Sequence, residues 1–139
     1  MNSKLIVLLS LFIISCLNRL NIDTSNDLYY DYVKGNIPVF IIASHDGSLL
    51  LDNVPVRTDS SIQNFNIKND LNTKKVCYLV RDKLHSYANI SPYLLINNVH
   101  RRYVDLNRSN LYSFENIIME NYYNQYHSIM NRELNNILL

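Results

Sequence analysis

The fold follows from one apolar stretch, Ile37–Ala43 (IPVFIIA), and from the polar turn Ser44–Ser48 (SHDGS) directly after it. A continuous apolar run rich in β-branched residues is typical of a strand that is buried on both faces. A second run of this kind, Tyr93–Ile96 (YLLI), follows Pro92. We therefore predict two buried strands, each leading into a polar segment.

Apolar residues recur at helical spacing between the two runs and again after them. Residues 70–88 carry the first helical pattern, with Asn69 or Asp70 as the candidate N-cap, and residues 114–137 carry the second. The order strand, helix, strand, helix predicts an α/β sheet with flanking helices. Residues 21–36 are polar and rich in tyrosine, and we expect them to be a poorly packed lead-in.

The composition fits one modest domain with a core. The chain has 139 residues, of which 47% are hydrophobic and 18% are charged. A formal net charge of +1 argues against nucleic acid as the main partner, because phosphate binding usually needs an excess of basic residues. Two glycines beside 21 asparagines indicate an AT-rich coding sequence.

The N-terminus has the pattern of a secretory signal peptide. Lys4 precedes the mostly apolar stretch Leu5–Ile14, and Ser15 and Cys16 follow it. We therefore predict a signal peptide over residues 1–16 and a secreted or lumenal protein, with residues 17–36 as the lead-in. A membrane anchor formed by residues 5–14 and a buried segment are the alternatives, and any membrane contact is expected only here. Without this segment Cys77 is the one cysteine left, and we predict that it is buried.

Both polar segments contain side chains that can carry chemistry. His45 follows the first strand beside Gly47, and neutral imidazole is a preferred zinc ligand, although an ordinary loop histidine fits the same spacing. The segment His100–Arg108 (HRRYVDLNR) follows the second strand, and its arginines suit a carboxylate ligand. A solvated charged segment is the alternative there, and a simple N-cap is the alternative for Asp70. Because sites in α/β sheets form beyond the carboxyl ends of the strands, we expect the two segments to meet.

Five segments, taken in order, resemble the N-formylglutamate amidohydrolase-like family. The resemblance extends over residues 37–137, and residues 37–139 are assigned to this domain. Its most specific part is the pattern Asn-x-x-His-Arg followed by Asp-x-Asn-Arg. The segments are residues 41–48 (strand and Ser-His-x-Gly turn), 54–58 (VPVRT), 69–73 (NDLNT), 92–108 (with the Asn, His and Arg pattern) and 122–129 (with the Tyr-His pair).

The resemblance implies a zinc-carboxypeptidase-like (phosphorylase/hydrolase-like) fold and metal-dependent hydrolysis of N-formyl or N-acyl amino acids. By position, His45 and Asp70 are the implied zinc ligands. Asn107 and Arg108 are the implied partners of the substrate carboxylate, and Arg101 supports that pocket. Zinc supplies polarisation of the acyl carbonyl and a more acidic water.

The chain departs from the family pattern in one respect. The family carries an Asp-x-His-Gly-His segment after the Tyr-His helix and a catalytic carboxylate later, whereas this sequence ends at Leu139. His127 is expected to be a packing residue and not a ligand, so the catalytic residues stay unassigned. Because the later segments of the family are missing, the sheet is expected to be incomplete. Three interpretations stay open: a truncated or degenerate, inactive copy; an enzyme completed by another chain or by downstream sequence; and a secreted binding protein that keeps the Arg/Asn pocket. An incomplete sheet also predicts a partner chain over its open edge.

Overall fold

The computed structural model describes residues 24–26 and 28–138, which form a small mixed α/β fold. The predicted signal peptide, residues 1–16, lies outside these residues. No helix within the described part combines the length and apolar character needed to cross a bilayer. In chain order the elements of this part are β1 (Thr24–Asn26), β2 (Tyr30–Val33), β3 (Phe40–Ala43), α1 (Thr73–Ala88), β4 (Tyr93–Asn97), α2 (Asn110–Ser113) and α3 (Ile117–Leu138).

The strands form one mixed sheet in the order β1-β2-β4-β3. The two predicted strands are present as β3 and β4, which pair in parallel and are joined through α1. Burial on both faces is confirmed for β4 but wrong for β3, which lies at the edge of the sheet and leaves Ile42 exposed. β2 pairs with β4 antiparallel, and β1 pairs with β2 antiparallel. The expectation of a poorly packed lead-in over residues 21–36 is therefore wrong for β2. Its residues Tyr30, Tyr32 and Val33 are buried, because two tyrosine rings and a valine supply enough apolar surface to join the core.

The core is built on both faces of β4. Leu94, Leu95 and Ile96 are fully buried, and successive side chains of a strand point to opposite faces. Leu95 packs in a cluster with residues of α3, whereas Leu94 and Ile96 pack with Cys77 of α1. The sheet thus lies between the two long helices, as the α/β prediction requires. The α3 residues in the first cluster are Met119, Tyr122, Tyr126 and Ile129.

Helix α1 begins later and buries less than its sequence pattern predicts. It starts at Thr73, and its N-cap Asn72 makes no side-chain capping bond, so the N-cap role considered for Asn69 or Asp70 is wrong. The prediction that Cys77 is buried is confirmed, and Cys77 is the one buried residue of this helix. The apolar residues Val76, Leu79, Val80 and Tyr87 are exposed.

Asparagines adopt the positive-φ backbone conformation that is usually found at glycine. The described non-glycine residues with positive φ are all asparagines: Asn53, Asn64, Asn72 and Asn89. Asparagine tolerates the left-handed region better than most side chains because its amide bonds locally to the backbone. Gly47 is required for a steric reason, because a Cβ there would overlap the backbone of Asn98 and Val99. The turn that carries His45 can therefore lie directly against the end of β4.

Candidate functional site

The two polar segments meet at the carboxyl edge of β3 and β4, as expected for parallel neighbours. The buried side chain of Asn97, at the end of β4, holds the edge together. Its Nδ2 donates to the Ser44 carbonyl at 2.7 Å, and its Oδ1 accepts from the Val99 N–H at 2.8 Å and from the Tyr122 hydroxyl at 2.7 Å. This amide fixes the end of β3, and hence His45, relative to β4.

The His45 imidazole lies between two carboxylates. Its Nε2 is 2.7 Å from Asp105 Oδ1, and its Nδ1 is 3.2 Å from Asp70 Oδ2. Ionised carboxylates only accept hydrogen bonds. Both contacts are therefore satisfied when each ring nitrogen carries a proton, or when a cation takes the place of one of those protons. His45 itself is buried, so its ring orientation is set by these two partners.

Asp105 is a fully buried carboxylate held by several donors. Oδ2 accepts from Arg101 Nε at 3.1 Å, from Arg101 Nη2 at 2.9 Å and from Arg108 Nε at 3.1 Å. Oδ1 accepts from the Asn107 N–H at 3.2 Å in addition to facing His45. Burial by itself raises the pKa of Asp105, but the hydrogen bonds and charges of His45 and Arg101 outweigh it and hold that pKa far below its usual value. Asp105 therefore stays ionised and fixes His45.

Asp70 reaches His45 through contacts made by its neighbour Asn69. Asn69 Nδ2 donates to the Gly47 carbonyl at 2.6 Å, and its Oδ1 accepts from the Arg101 N–H at 3.0 Å. The Asp70 N–H in turn donates to the His45 carbonyl at 3.0 Å. The Asp70 side chain is half exposed, and Arg101 Nη1 lies 3.6 Å from its Oδ1.

Arg108 divides its donors between Asp105 and a neighbouring loop. Nη1 donates to the Gln63 carbonyl at 3.1 Å and Nη2 to the Asn64 carbonyl at 2.6 Å. With the Nε contact to Asp105, three of the five guanidinium N–H groups are used within the described chain. The remaining two N–H groups can bind a ligand.

The site has a surplus of positive charge. The buried Arg57 lies beneath it, with Nη2 4.0 Å from Asp105 Oδ2. Three guanidinium groups, including those of Arg101 and Arg108, therefore oppose two carboxylates. A low-dielectric site with this surplus favours an anionic ligand.

A pocket of about 570 Å³ opens at this edge and is lined by His45, Asp70, Asn107 and Arg108. Four of the five site residues named from the sequence thus meet at one cavity. Arg101 does not line it, because its guanidinium contacts Asp105 and Asp70 from behind. The segment is accordingly not simply a solvated strand end, since Arg101 and Arg108 both bind the buried Asp105 carboxylate.

The sequence left three contributors without a site role. Asp105 stands in the Asp-x-Asn-Arg pattern without an assigned role, but its partners include His45, 60 positions earlier in the chain. Arg57 belongs to the 54–58 segment and carries no local sign of being buried. His127, expected to be a packing residue, lines the pocket. The family resemblance is the one signal that points to Arg57 and His127.

The residues present fit two ligand positions of a zinc ion. Two ligands of a tetrahedral zinc lie roughly 3.3 Å apart, given bonds of about 2.0–2.2 Å, and His45 Nδ1 and Asp70 Oδ2 are 3.2 Å apart. The bond between Nε2 and Asp105 is the outer contact usual for a zinc-bound histidine. Among residues 24–26 and 28–138, however, no group of three His, Cys, Asp or Glu side chains could hold a metal ion.

No family model, no curated protein and no solved structure matches the chain. A function must therefore be inferred from the geometry of the pocket and from the sequence motifs.

Proposed function

We propose that the pocket binds an N-formyl or N-acyl amino acid in the manner of N-formylglutamate amidohydrolase-like proteins, on a zinc-carboxypeptidase-like fold. The observation that carries this proposal is the position of His45 between Asp105 and Asp70, beside Asn107 and Arg108. The pocket lining thus includes a donor pair for a metal ion and hydrogen-bond donors for an anion. An N-acyl amino acid presents the two matching groups, an acyl carbonyl and a carboxylate.

Each polar residue has a distinct role in this proposal. Asn107 and the two remaining N–H groups of Arg108 hold the ligand carboxylate. Arg101 keeps Asp105 in place, and Asp105 orients His45. His45 Nδ1 and Asp70 Oδ2 hold a zinc ion, which, when bound, polarises the acyl carbonyl and lowers the pKa of a water molecule.

The described residues favour binding over turnover. Catalytic zinc sites use three protein ligands and a water, whereas His45 and Asp70 supply two. We therefore expect weak zinc binding and no detectable hydrolysis of N-formyl-L-glutamate by the isolated chain. The pocket then acts as a receptor for the anionic ligand, which is the third of the interpretations left open by the sequence.

Calorimetry with N-formyl-L-glutamate, with and without zinc, tests the proposal. Binding is expected, and Arg108→Ala is expected to weaken it about tenfold or more because a charged hydrogen-bond donor is lost. Arg102→Ala is the matched control, since Arg102 belongs to the same segment but neither lines the pocket nor contacts Asp105. Absence of heat for any acidic ligand overturns the proposal. A hydrolysis rate abolished by His45→Ala would instead establish an active enzyme.

A further inference from the structure

The pocket at the carboxyl edge also has an apolar part that the proposed function does not use. Its described lining includes Ile42 of β3 and Met130 of α3. Ile42 is 37% exposed although its side chain is apolar, and Met130 is partly buried against the core. Accessible apolar side chains that line one cavity favour an apolar ligand group.

The contacts of α3 show on which side of the pocket Met130 lies. The Tyr122 hydroxyl donates to Asn97 Oδ1 at the end of β4 at 2.7 Å. The Tyr126 hydroxyl, one turn later, donates to the Leu95 carbonyl at 3.4 Å. Helix α3 therefore runs antiparallel to β4, and Met130, a further turn along, lies away from the carboxyl edge.

Ile42 lies at a similar level on the free edge of the sheet. It pairs with Leu95 in the register of β3 and β4, and β3 is the last strand in the order β1-β2-β4-β3. The carboxylate and the guanidinium among the described lining residues belong to Asp70 and Arg108, which lie at the carboxyl edge. The pocket thus has a charged end at this edge and an apolar end at Ile42 and Met130.

The strand and the helix give the same distance between the two ends. Ile42 precedes His45 by three residues, which is about 10 Å along an extended chain. Tyr123, whose hydroxyl donates to the Arg108 carbonyl, precedes Met130 by seven residues, which is also about 10 Å along a helix. A ligand that fills both ends needs an apolar group of this length.

We infer that the ligand is an N-acyl amino acid whose acyl group is an unbranched apolar chain of about eight carbons. This inference rests on the proposed function and specifies the acyl group. The acyl carbonyl lies at His45 and Asp70, and the chain runs from there to Ile42 and Met130. Carbon–carbon bonds of about 1.5 Å give an extended chain about 1.3 Å per carbon, so roughly eight carbons span the distance. A formyl group leaves the apolar end to water.

Calorimetry with a series of N-acyl-L-glutamates tests the inference, because every member has the same charged head group. From N-formyl to N-octanoyl the affinity is expected to rise about twofold per carbon, on the order of 100-fold in all, and to level off for longer chains. Full burial of a methylene gives about fourfold, and the factor is smaller here because the pocket is open at the sheet edge.

A polar chain of equal length is the matched ligand. N-(6-hydroxyhexanoyl)-L-glutamate has the size of the N-heptanoyl compound but ends in a hydroxyl group. It is expected to bind about tenfold more weakly than the N-heptanoyl compound, because the hydroxyl loses its water at an apolar wall.

The protein variants are compared by the ratio of the affinities for the N-octanoyl and N-formyl compounds. Ile42→Thr makes the wall polar at nearly constant shape, and the exposed position allows the variant to fold. It is expected to lower the ratio about fivefold, and Met130→Gln is expected to lower it similarly. Val39→Thr is the matched control and is expected to keep the ratio, since Val39 is 44% exposed beside β3 but does not line the pocket.

Three results overturn the inference while the proposed function stands. They are an affinity that does not change with chain length, a hydroxyl-ended chain that binds as well as its apolar match, and a ratio that survives in both Ile42→Thr and Met130→Gln. If no member of the series binds, the proposed function fails and the inference fails with it.

Discussion

Two carboxylates in this molecule, the fully buried Asp105 and the partly buried Asp31, accept several hydrogen bonds but serve different parts of the fold. Asp31 on β2 accepts from Lys74 Nζ at 2.8 Å, from the Tyr78 hydroxyl at 3.0 Å and from Asn98 Nδ2 at 2.7 Å. Lys74 and Tyr78 both lie on α1, so this carboxylate joins a helix to the sheet. Burial by itself raises the pKa of Asp31, but the hydrogen bonds from Lys74, Asn98 and Tyr78 outweigh it and lower that pKa.

Asp105 likewise accepts hydrogen bonds from cationic side chains, but one of its partners, His45, lines a cavity. Its arginine donors are held among protein groups, and its contact with His45 leaves Nδ1 directed at Asp70 beside the pocket. The comparison shows that a carboxylate with several hydrogen-bond donors can have either of two consequences. The partners of Asp31 connect secondary structure elements, whereas the partners of Asp105 orient a side chain that can bind something else.

The largest expected effect in this comparison is that of Asp105→Asn. The variant leaves Arg101, Arg108 and His45 without their shared anion, and removal of one partner from a buried ion pair typically costs about 3–5 kcal/mol. Urea unfolding measures the change in the free energy of unfolding, and calorimetry is expected to show loss of ligand binding. A variant that is as stable as the unaltered protein would show that Asp105 is not the centre of the cluster.

Asp31→Asn is expected to have a smaller effect and a different signature. The loss of a charged acceptor costs about 1–2 kcal/mol, and Lys74 is exposed enough to be hydrated when its partner is gone. The same urea experiment gives the free energy of unfolding, and the affinity for N-formyl-L-glutamate is expected to be unchanged. A loss of affinity equal to that of Asp105→Asn would remove the distinction between the two clusters.

The smallest expected effect is a change in stability with pH, which distinguishes ionised from protonated Asp105. Its pKa is lower in the folded chain than the unfolded value near 3.8, so its stabilisation is complete above that pH and is lost as the pH falls toward the folded pKa. The stability gap between the unaltered protein and Asp105→Asn is therefore expected to shrink by about 1 kcal/mol between pH 7 and pH 3. Urea unfolding at the two pH values measures it. A gap that is the same at both values would mean that Asp105 has no depressed pKa.

The sequence predicts the parallel strands β3 and β4 and the two long helices, because each has a clear apolar run or a helical period. It does not show that β3 lies at the edge of the sheet. It fails at β2, where the pattern Tyr-Asp-Tyr-Val is short and polar in appearance. The tyrosine rings become buried only when β4 lies alongside. It also fails at the start of α1, where the N-cap Asn72 makes no side-chain bond and Asp46, from the turn after β3, accepts from the Lys74 N–H instead.

The sequence predicts most of the residues of the candidate site, but not the hydrogen bonds that connect them. His45, Asn107 and Arg108 follow the ends of parallel strands, and the rule on strand ends is enough to place them together. The bonds from Asp105 to His45 and from Asn69 to Gly47 join loops that are 60 and 22 positions apart. Such pairings depend on the register of the turns, which no local pattern encodes.

The proposed function depends on Asp105 holding His45 at Nε2, so that Nδ1 and Asp70 form a donor pair for a metal ion. Nitrogen NMR of the histidine side chains during a zinc titration tests it most directly. We predict that the Nδ1 resonance of His45 moves as zinc is added while the Nε2 proton stays bonded to Asp105, and that Asp70→Asn weakens the response. A zinc titration that leaves Nδ1 of His45 unchanged, or that displaces the Nε2 proton instead, would contradict the claim.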